Sequence, residues 1–154
     1  MPPRAARVRG FSLLEVLMVV GLIAVTGVLA AAAMGGGFER IAFQSTAKEL
    51  AAQLRYTRAQ AIATGMPQRF TLDPDARTWS APNGRRGTIP EAFEIEFTSA
   101  REATDAPDAG AVVFFADGAA TGGRIRVRLR GAAWQIDVAW LTGEVRLQRA
   151  DAAR

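Results

Sequence analysis

Nucleophilic and proton-transfer chemistry has little to work with in this chain. Its 154 residues include neither His nor Cys. Ser and Thr hydroxyls are present, but no imidazole exists to activate them. Zinc sites of the Cys/His kind and disulfide frameworks are excluded on the same count. What remains is carboxylates and guanidiniums in three notable settings. Glu15 interrupts an apolar run, Asp73 and Asp75 flank Pro74, and Arg124, Arg126, Arg128 and Arg130 alternate along one segment, with Arg146 and Arg149 further on. The chemistries these suggest are charge pairing inside a membrane, cation ligation and phosphate contact, respectively.

Two of the three weaken on inspection. Calcium needs six or more oxygen ligands, and Asp73 and Asp75 stand alone, so a plain hairpin turn is the better reading and no metal or cofactor is expected. The arginines could form a strip for DNA phosphates. From residue 124 onward seven Arg face three acids, whereas residues 91–117 hold seven acids against Arg101 alone. Pairing within the molecule, or a solvated face on an edge strand that blocks aggregation, therefore accounts for them. No aromatic residue is interleaved on the Arg face to stack bases, as single-strand binders require. Net charge points the same way: of the +4 total, Arg4, Arg7 and Arg9 supply three before residue 10. Nucleic acid is not expected as a partner, and with no convergent acid–base pair the chain is not expected to be an enzyme.

Glu15 is the informative residue. It lies five positions into FSLLEVLMVVGLIAVTGVLAAAAM, a mostly apolar run of 24 residues at 11–34 without Pro. As a helix this run spans roughly 36 Å, enough to cross a hydrocarbon core of about 30 Å with some tilt. The N-terminal arginines place that end in the cytoplasm and the rest of the chain across the membrane. A carboxylate at bilayer depth costs roughly 2.5–3.5 kcal/mol. Either Glu15 snorkels to the interface, or it finds a cation in the membrane, and a freed N-terminal amine is the nearest candidate in kind. A secretory signal cut near Ala31–Ala33 competes with the anchor reading. Against it, the apolar stretch exceeds the usual 7–15 residues of a signal core and would contain Glu15.

These residues depend on simple elements. After Gly35–Gly37, Phe43, Ala47, Leu50, Leu54 and Ala61 recur at helical spacing, while Lys48, Glu49, Gln53, Arg55 and Arg58 fall elsewhere, predicting an amphipathic helix over 38–64. The three glycines are either a joint or a costly stretch of helix. From residue 68 the period becomes two. Strands are expected at 68–72, 77–80, 92–97, 111–115, 124–130, 134–140 and 144–147, with loops at 82–87 and 98–110. Phe93, Ile95 and Phe97 should face inward, Ile125, Val127 and Leu129 should share the face opposite the four arginines, and Trp134, Ile136, Val138 and Trp140 should share one face of the next strand. One long helix followed by short antiparallel strands is an α+β architecture.

Gly10-Phe11-Ser12-Leu13-Leu14-Glu15 resembles the leader of type IV pilins and type II secretion pseudopilins: a short basic stretch, Gly, Phe, Glu at the fifth mature position, then about twenty apolar residues. Further on, Phe115-Ala116-Asp117-Gly118, Gly122-Gly123-Arg124-Ile125 and the run from Trp134 to Val145 resemble the H-type minor pseudopilins (GspH) and related FimT-like minor pilins. Leader and block cover about a third of the chain. Ala139 departs from the pattern, where a polar or acidic residue is usual. The absence of Pro from the apolar run argues against a major pilin.

The resemblance implies a type IV pilin-like fold with a leader at 1–10, a transmembrane assembly helix at 11–34, an amphipathic helix at 38–64 and a periplasmic β-rich domain at 66–149. It implies cleavage between Gly10 and Phe11 by the prepilin peptidase, N-methylation of Phe11, and a role for Glu15 in assembly opposite a neighbour's amine. The expected partners are other major and minor pseudopilins and the inner-membrane assembly platform, and the function implied is that of a minor pseudopilin supporting export of folded proteins across the outer membrane. The alternative is a FimT-like minor pilin of a type IV pilus, contacting DNA through Arg124, Arg126, Arg128 and Arg130.

Overall fold

The computed structural model describes residues 12–98 and 110–151, with the side chains of 31–36 and 151 left aside. The expected leader, with the Gly10 and Phe11 processing positions, and residues 99–109 of the expected loop lie outside the described residues. The chain divides into two compact units, the first ending at Arg40 and the second beginning at Ile41.

Helix α1 (Leu13–Thr64) runs through both. In the first unit it is built of Leu, Val, Ala, Ile and Met without Pro, and its apolar side chains from Leu13 to Leu29 are exposed all round. Its one hydroxyl in this stretch is hidden from an apolar surrounding: Thr26 Oγ1 donates back to the Leu22 and Ile23 carbonyls at 2.8 and 3.0 Å. The helix continues through Gly35–Gly37.

In the second unit α1 buries one stripe. Phe43, Ala47, Leu50, Leu54 and Ala61 are all buried, as the spacing predicts. Ala51 and Thr57 join them. Thr57 is tolerated because its hydroxyl is satisfied locally, donating to the Gln53 carbonyl at 2.8 Å. Two antiparallel four-stranded sheets complete the unit. The first contains β1 (Gln68–Asp73), β2 (Thr78–Ala81), β3 (Arg85–Thr88) and β5 (Ala111–Phe114), ordered β3-β2-β1-β5. The second contains β4 (Glu94–Thr98), β6 (Gly123–Leu129), β7 (Ala132–Val138) and β8 (Val145–Asp151), ordered β4-β6-β7-β8. Both sheets and the helix contribute to one apolar cluster, with Phe70, Trp79 and Phe114 from the first sheet, Ile125, Val127 and Ile136 from the second, and Leu50 and Leu54 from α1. Phe43 meets Phe93 edge to face at 5.5 Å. The α+β architecture expected from the sequence, one long helix followed by antiparallel strands, is the one found.

Several details differ from expectation. Residues 85–87, expected to be loop, belong to β3 (Arg85–Thr88). Asn83 and Gly84 both adopt positive φ, 60° and 72°, which suits a tight hairpin turn. The strand behind it has exposed arginines and no apolar alternation, because its inward position is Gly87, against which the Trp79 ring packs. Strand β7 ends at Val138, so Trp140 does not share a strand face with Trp134, Ile136 and Val138 but is exposed in the following turn. Ile95 and Phe97 point inward yet are only partly buried. Strand β6 is not an edge strand: β4 and β8 hold the edges of its sheet. Strand β6 also stops at Leu129, leaving Arg130 in the turn with φ 44°.

Candidate functional site

The arginine face is a cross-linked polar network in which Arg126 Nε stays buried without a hydrogen-bond partner. Register sets Glu96 opposite Arg126, Arg124 opposite Asp137, and Asp137 opposite Arg146, so the charges meet as cross-strand pairs. Arg128 Nη1 lies 2.8 Å from Glu96 Oε1, and Arg126 Nη1 lies 3.7 Å from Glu96 Oε2. Arg126 Nη2 also donates to Gln135 Oε1 at 3.2 Å. Gln135 Nε2 and Gln148 Nε2 both donate to Asp137 Oδ2, at 2.7 and 3.0 Å, while Arg124 Nε donates to Asp137 Oδ1 at 2.6 Å. Burial raises the Asp137 pKa, but the hydrogen bonds from Gln135, Arg124 and Gln148 and the Arg124 charge outweigh it, so its carboxyl lies below the ordinary value. Next to it, the hydrogen bond from Arg146 lowers Glu144, and the same bond at 2.7 Å raises Arg146.

This network uses the arginines that a DNA-binding reading would need. Arg124, Arg126 and Arg128 are spent on Asp137, Gln135 and Glu96. Arg130 leaves the strand for the turn. Arg149 does not join them either: it pairs with Trp134 on the opposite face of the sheet, its guanidinium 5.4 Å from the ring centre, whereas Arg146 stays on the outer face. The sequence signal that fits is the acidic excess at 91–117, since Glu96 is the carboxylate between Arg126 and Arg128.

Asp73 is the last residue of β1 and caps the turn that follows. Its Oδ1 accepts the Ala76 N–H at 2.8 Å. Among the described residues no group of three or more His, Cys, Asp or Glu is placed to hold a metal ion.

Sequence reasoning missed the residues that lock the helix to the loops. Asn83 Nδ2 donates to Tyr56 Oη at 2.7 Å and to Gln60 Oε1 at 3.3 Å, tying the β2–β3 turn to α1, and Arg85 covers the Tyr56 ring at 4.0 Å. On the other side Arg55 Nη2 donates to the Val145 carbonyl at 3.0 Å, and Arg58 Nε to the Gly118 carbonyl at 3.1 Å. Gly143, at φ 60°, approaches Gly118 so closely that a Cβ would overlap the Gly118 carbonyl and press on Arg58. Periodicity sees Arg55 and Arg58 only as off-stripe charges, because their partners are backbone carbonyls more than fifty residues away in sequence.

In the first unit, Glu15 sits in the first turn of α1, exposed between Leu14 and Val16, with its N–H donating to the Ser12 carbonyl at 3.0 Å. A helix N-terminus favours a carboxylate there. The stretch Leu13–Ala30 is long and apolar enough to cross a membrane.

Comparison with known proteins agrees with this geometry. Residues 46–143 match the family described as type II transport protein GspH. The type II secretion system protein H of Xanthomonas campestris pv. campestris is 56% identical over 150 residues, covering 94% of this chain and 89% of that protein. Among solved structures, the minor pseudopilin EpsH from the type 2 secretion system of Vibrio cholerae is similar with a TM-score of 0.56 at 17% identity, over 73% of this chain and 96% of that one. The type IV minor pilin FimU of Pseudomonas aeruginosa is similar with a TM-score of 0.54 at 17% identity, over 75% of this chain and 93% of that one. At such identity the two structures speak for the fold alone.

Proposed function

This chain belongs to the GspH family of type II transport proteins, and from that premise we propose how its parts serve a secretion fibre. It is a minor pseudopilin of the type II secretion system, with an N-terminal apolar helix that suits a membrane anchor. In the proposed scheme the prepilin peptidase cuts between Gly10 and Phe11, Phe11 is N-methylated, and residues 11–34 hold the subunit in the inner membrane with the β-rich domain in the periplasm. The assembly platform then draws the subunit into a pseudopilus beside major and minor pseudopilins, supporting export of folded proteins across the outer membrane. The work is structural rather than catalytic.

The observation that carries this reading is an apolar helical stretch, Leu13–Ala30, long enough to cross a membrane and carrying Glu15 in the first turn of α1. In lipid the bare helix is content, but the carboxylate is not. A neighbour's amine removes the cost, because two buried opposite charges relieve each other only when paired. Helix packing supplies the rest of the assembly energy.

Replacing Glu15 with Ala or Gln tests the pairing. Secretion and incorporation into the fibre should fall sharply while membrane insertion persists, and unchanged secretion would remove Glu15 from the assembly step.

A further inference from the structure

Asn83 is the single Asn of the chain, and a Gly follows it. That pairing has a chemistry of its own. The backbone nitrogen after an Asn can attack the side-chain amide carbon, and a following Gly puts no side chain in the way. The Gly84 nitrogen bonds to Asn83 Cγ and closes a cyclic imide. The amide nitrogen leaves as ammonia, carrying off the proton that the Gly84 nitrogen gives up. Water then opens the ring at either carbonyl. One opening leaves an aspartate, and the other leaves an isoaspartate, in which the chain runs through the side-chain carbon. Water is the only co-reactant.

The turn leaves the attacking nitrogen open. Arg85 N–H closes it loosely on the Pro82 carbonyl at 3.5 Å, with Asn83 and Gly84 both at positive φ. Both residues are exposed to water. The Gly84 N–H has no hydrogen-bond partner among the described residues, and nothing stands within 4 Å of the place its Cβ would take. The amide, in contrast, is held. Asn83 Nδ2, the group that must leave, donates to Tyr56 Oη at 2.7 Å and to Gln60 Oε1 at 3.3 Å. Cyclisation requires Cγ to swing onto the Gly84 nitrogen, so these bonds oppose it. Asp117-Gly118 provides an internal contrast, since it could form the same imide by losing water. There Gly118 is buried, its N–H is committed to the Phe115 carbonyl at 2.9 Å, and Asp117 Oδ1 accepts the Ala119 N–H at 3.0 Å.

We propose that Asn83 is a self-modification site, converting to isoaspartate through attack by the Gly84 nitrogen, with Tyr56 and Gln60 as the gate that sets its rate. The product does not restore the clamp. A carboxylate has no hydrogen to donate to Gln60 Oε1. Isoaspartate also lengthens the turn by a backbone carbon, which breaks the register pairing Ala81 with Arg85 and draws Arg85 off the Tyr56 ring. Strand β3 then loosens from α1, and the change is irreversible, so the chain records the time it has spent with the clamp open.

The experiment ages the full-length protein in detergent, in mildly alkaline buffer at body temperature, and follows it by peptide mass spectrometry that separates aspartate from isoaspartate. The amide at position 83 should be lost, with isoaspartate exceeding aspartate, while Asp117 stays unchanged. Tyr56→Phe keeps the ring beneath Arg85 and removes the acceptor oxygen. It should speed the loss about fivefold, the factor that one neutral hydrogen bond contributes. Gly84→Ala, which meets backbone strain and no clash, should all but stop it. In the modified fraction, amide hydrogen exchange across residues 78–88 should rise. An amide at position 83 that survives as long in the parent as in Gly84→Ala overturns the site. A Tyr56→Phe rate equal to the parent's overturns the gate, and unchanged exchange in the modified fraction overturns the loosening of β3.

Discussion

Substituting Gly143 with Ala should cost far more stability than the same change at Gly84, although both residues have positive φ, 60° and 72°. The shared part is backbone strain. An L-residue in the left-handed region costs roughly 1 kcal/mol more than Gly. At Gly84 nothing lies within 4 Å of the new Cβ, so strain is the whole effect. At Gly143 the Cβ overlaps the Gly118 carbonyl and comes within 3.0 Å of Arg58 Nε. Either the 115–118 loop or the 139–144 turn must move, and the Arg58–Gly118 hydrogen bond goes with it. A hydrogen bond involving a charged donor contributes about 1.5–3 kcal/mol, so the total at Gly143 comes to roughly 3 kcal/mol against roughly 1 kcal/mol at Gly84. Thermal unfolding of the full-length protein in detergent, followed by near-UV circular dichroism, reads this directly. For a unit of this size each kcal/mol moves the midpoint by about 4–8 °C, so Gly143→Ala should melt about 10 °C below Gly84→Ala. Midpoints within about 2 °C of each other would refute the idea that helix, loop and turn are locked together at this point.

Leu54→Ala, at a fully buried position of the α1 stripe, should destabilise by about 2–5 kcal/mol in the same assay, since the site cannot collapse around the missing carbons. The Asp137 carboxyl lies below its ordinary pKa in the fold, so its contribution is present above the unfolded-state value and is lost as pH falls through the lower folded one. Stability should therefore be flat through neutral pH and decline only in acid, and Asp137→Asn should melt lower at pH 7 with a shallower acid decline. Because Arg124, Arg126 and Arg128 are engaged by Asp137, Gln135 and Glu96, the detergent-solubilised protein should give no salt-dependent gel shift with DNA. A tight shift abolished by replacing those three arginines with Ala would reinstate the nucleic-acid reading.

Much of the fold is written in simple periods. The stripe Phe43, Ala47, Leu50, Leu54 and Ala61 is legible because a helix packed on one side repeats its apolar positions every three or four residues. Strand β6 is legible because Ile125, Val127 and Leu129 alternate with charge. Legibility fails where a backbone group does the work. Strand β3 hides because its inward residue is Gly87, which has no side chain to register a period. Trp140 misleads because it continues the Trp134, Ile136, Val138 alternation by type, while the turn closed by Gly143 N–H on the Ala139 carbonyl has already bent the chain away. Arg55 and Arg58 are invisible for the same reason, since a backbone carbonyl has no sequence signature. The arginine face was half legible: composition announced that acids elsewhere could neutralise it, but only register shows that Glu96 is the residue that does so.

The chain's place in a membrane-anchored fibre is tested most directly at its N-terminus. Intact-mass and terminal-peptide analysis of the protein purified from secreting cells should find N-methylated Phe11 as the first residue. A first residue near Met34 would mean the apolar helix is discarded after export, and Met1 retained on secretion-competent protein would mean no maturation step occurs. Either result would contradict the assembly described here.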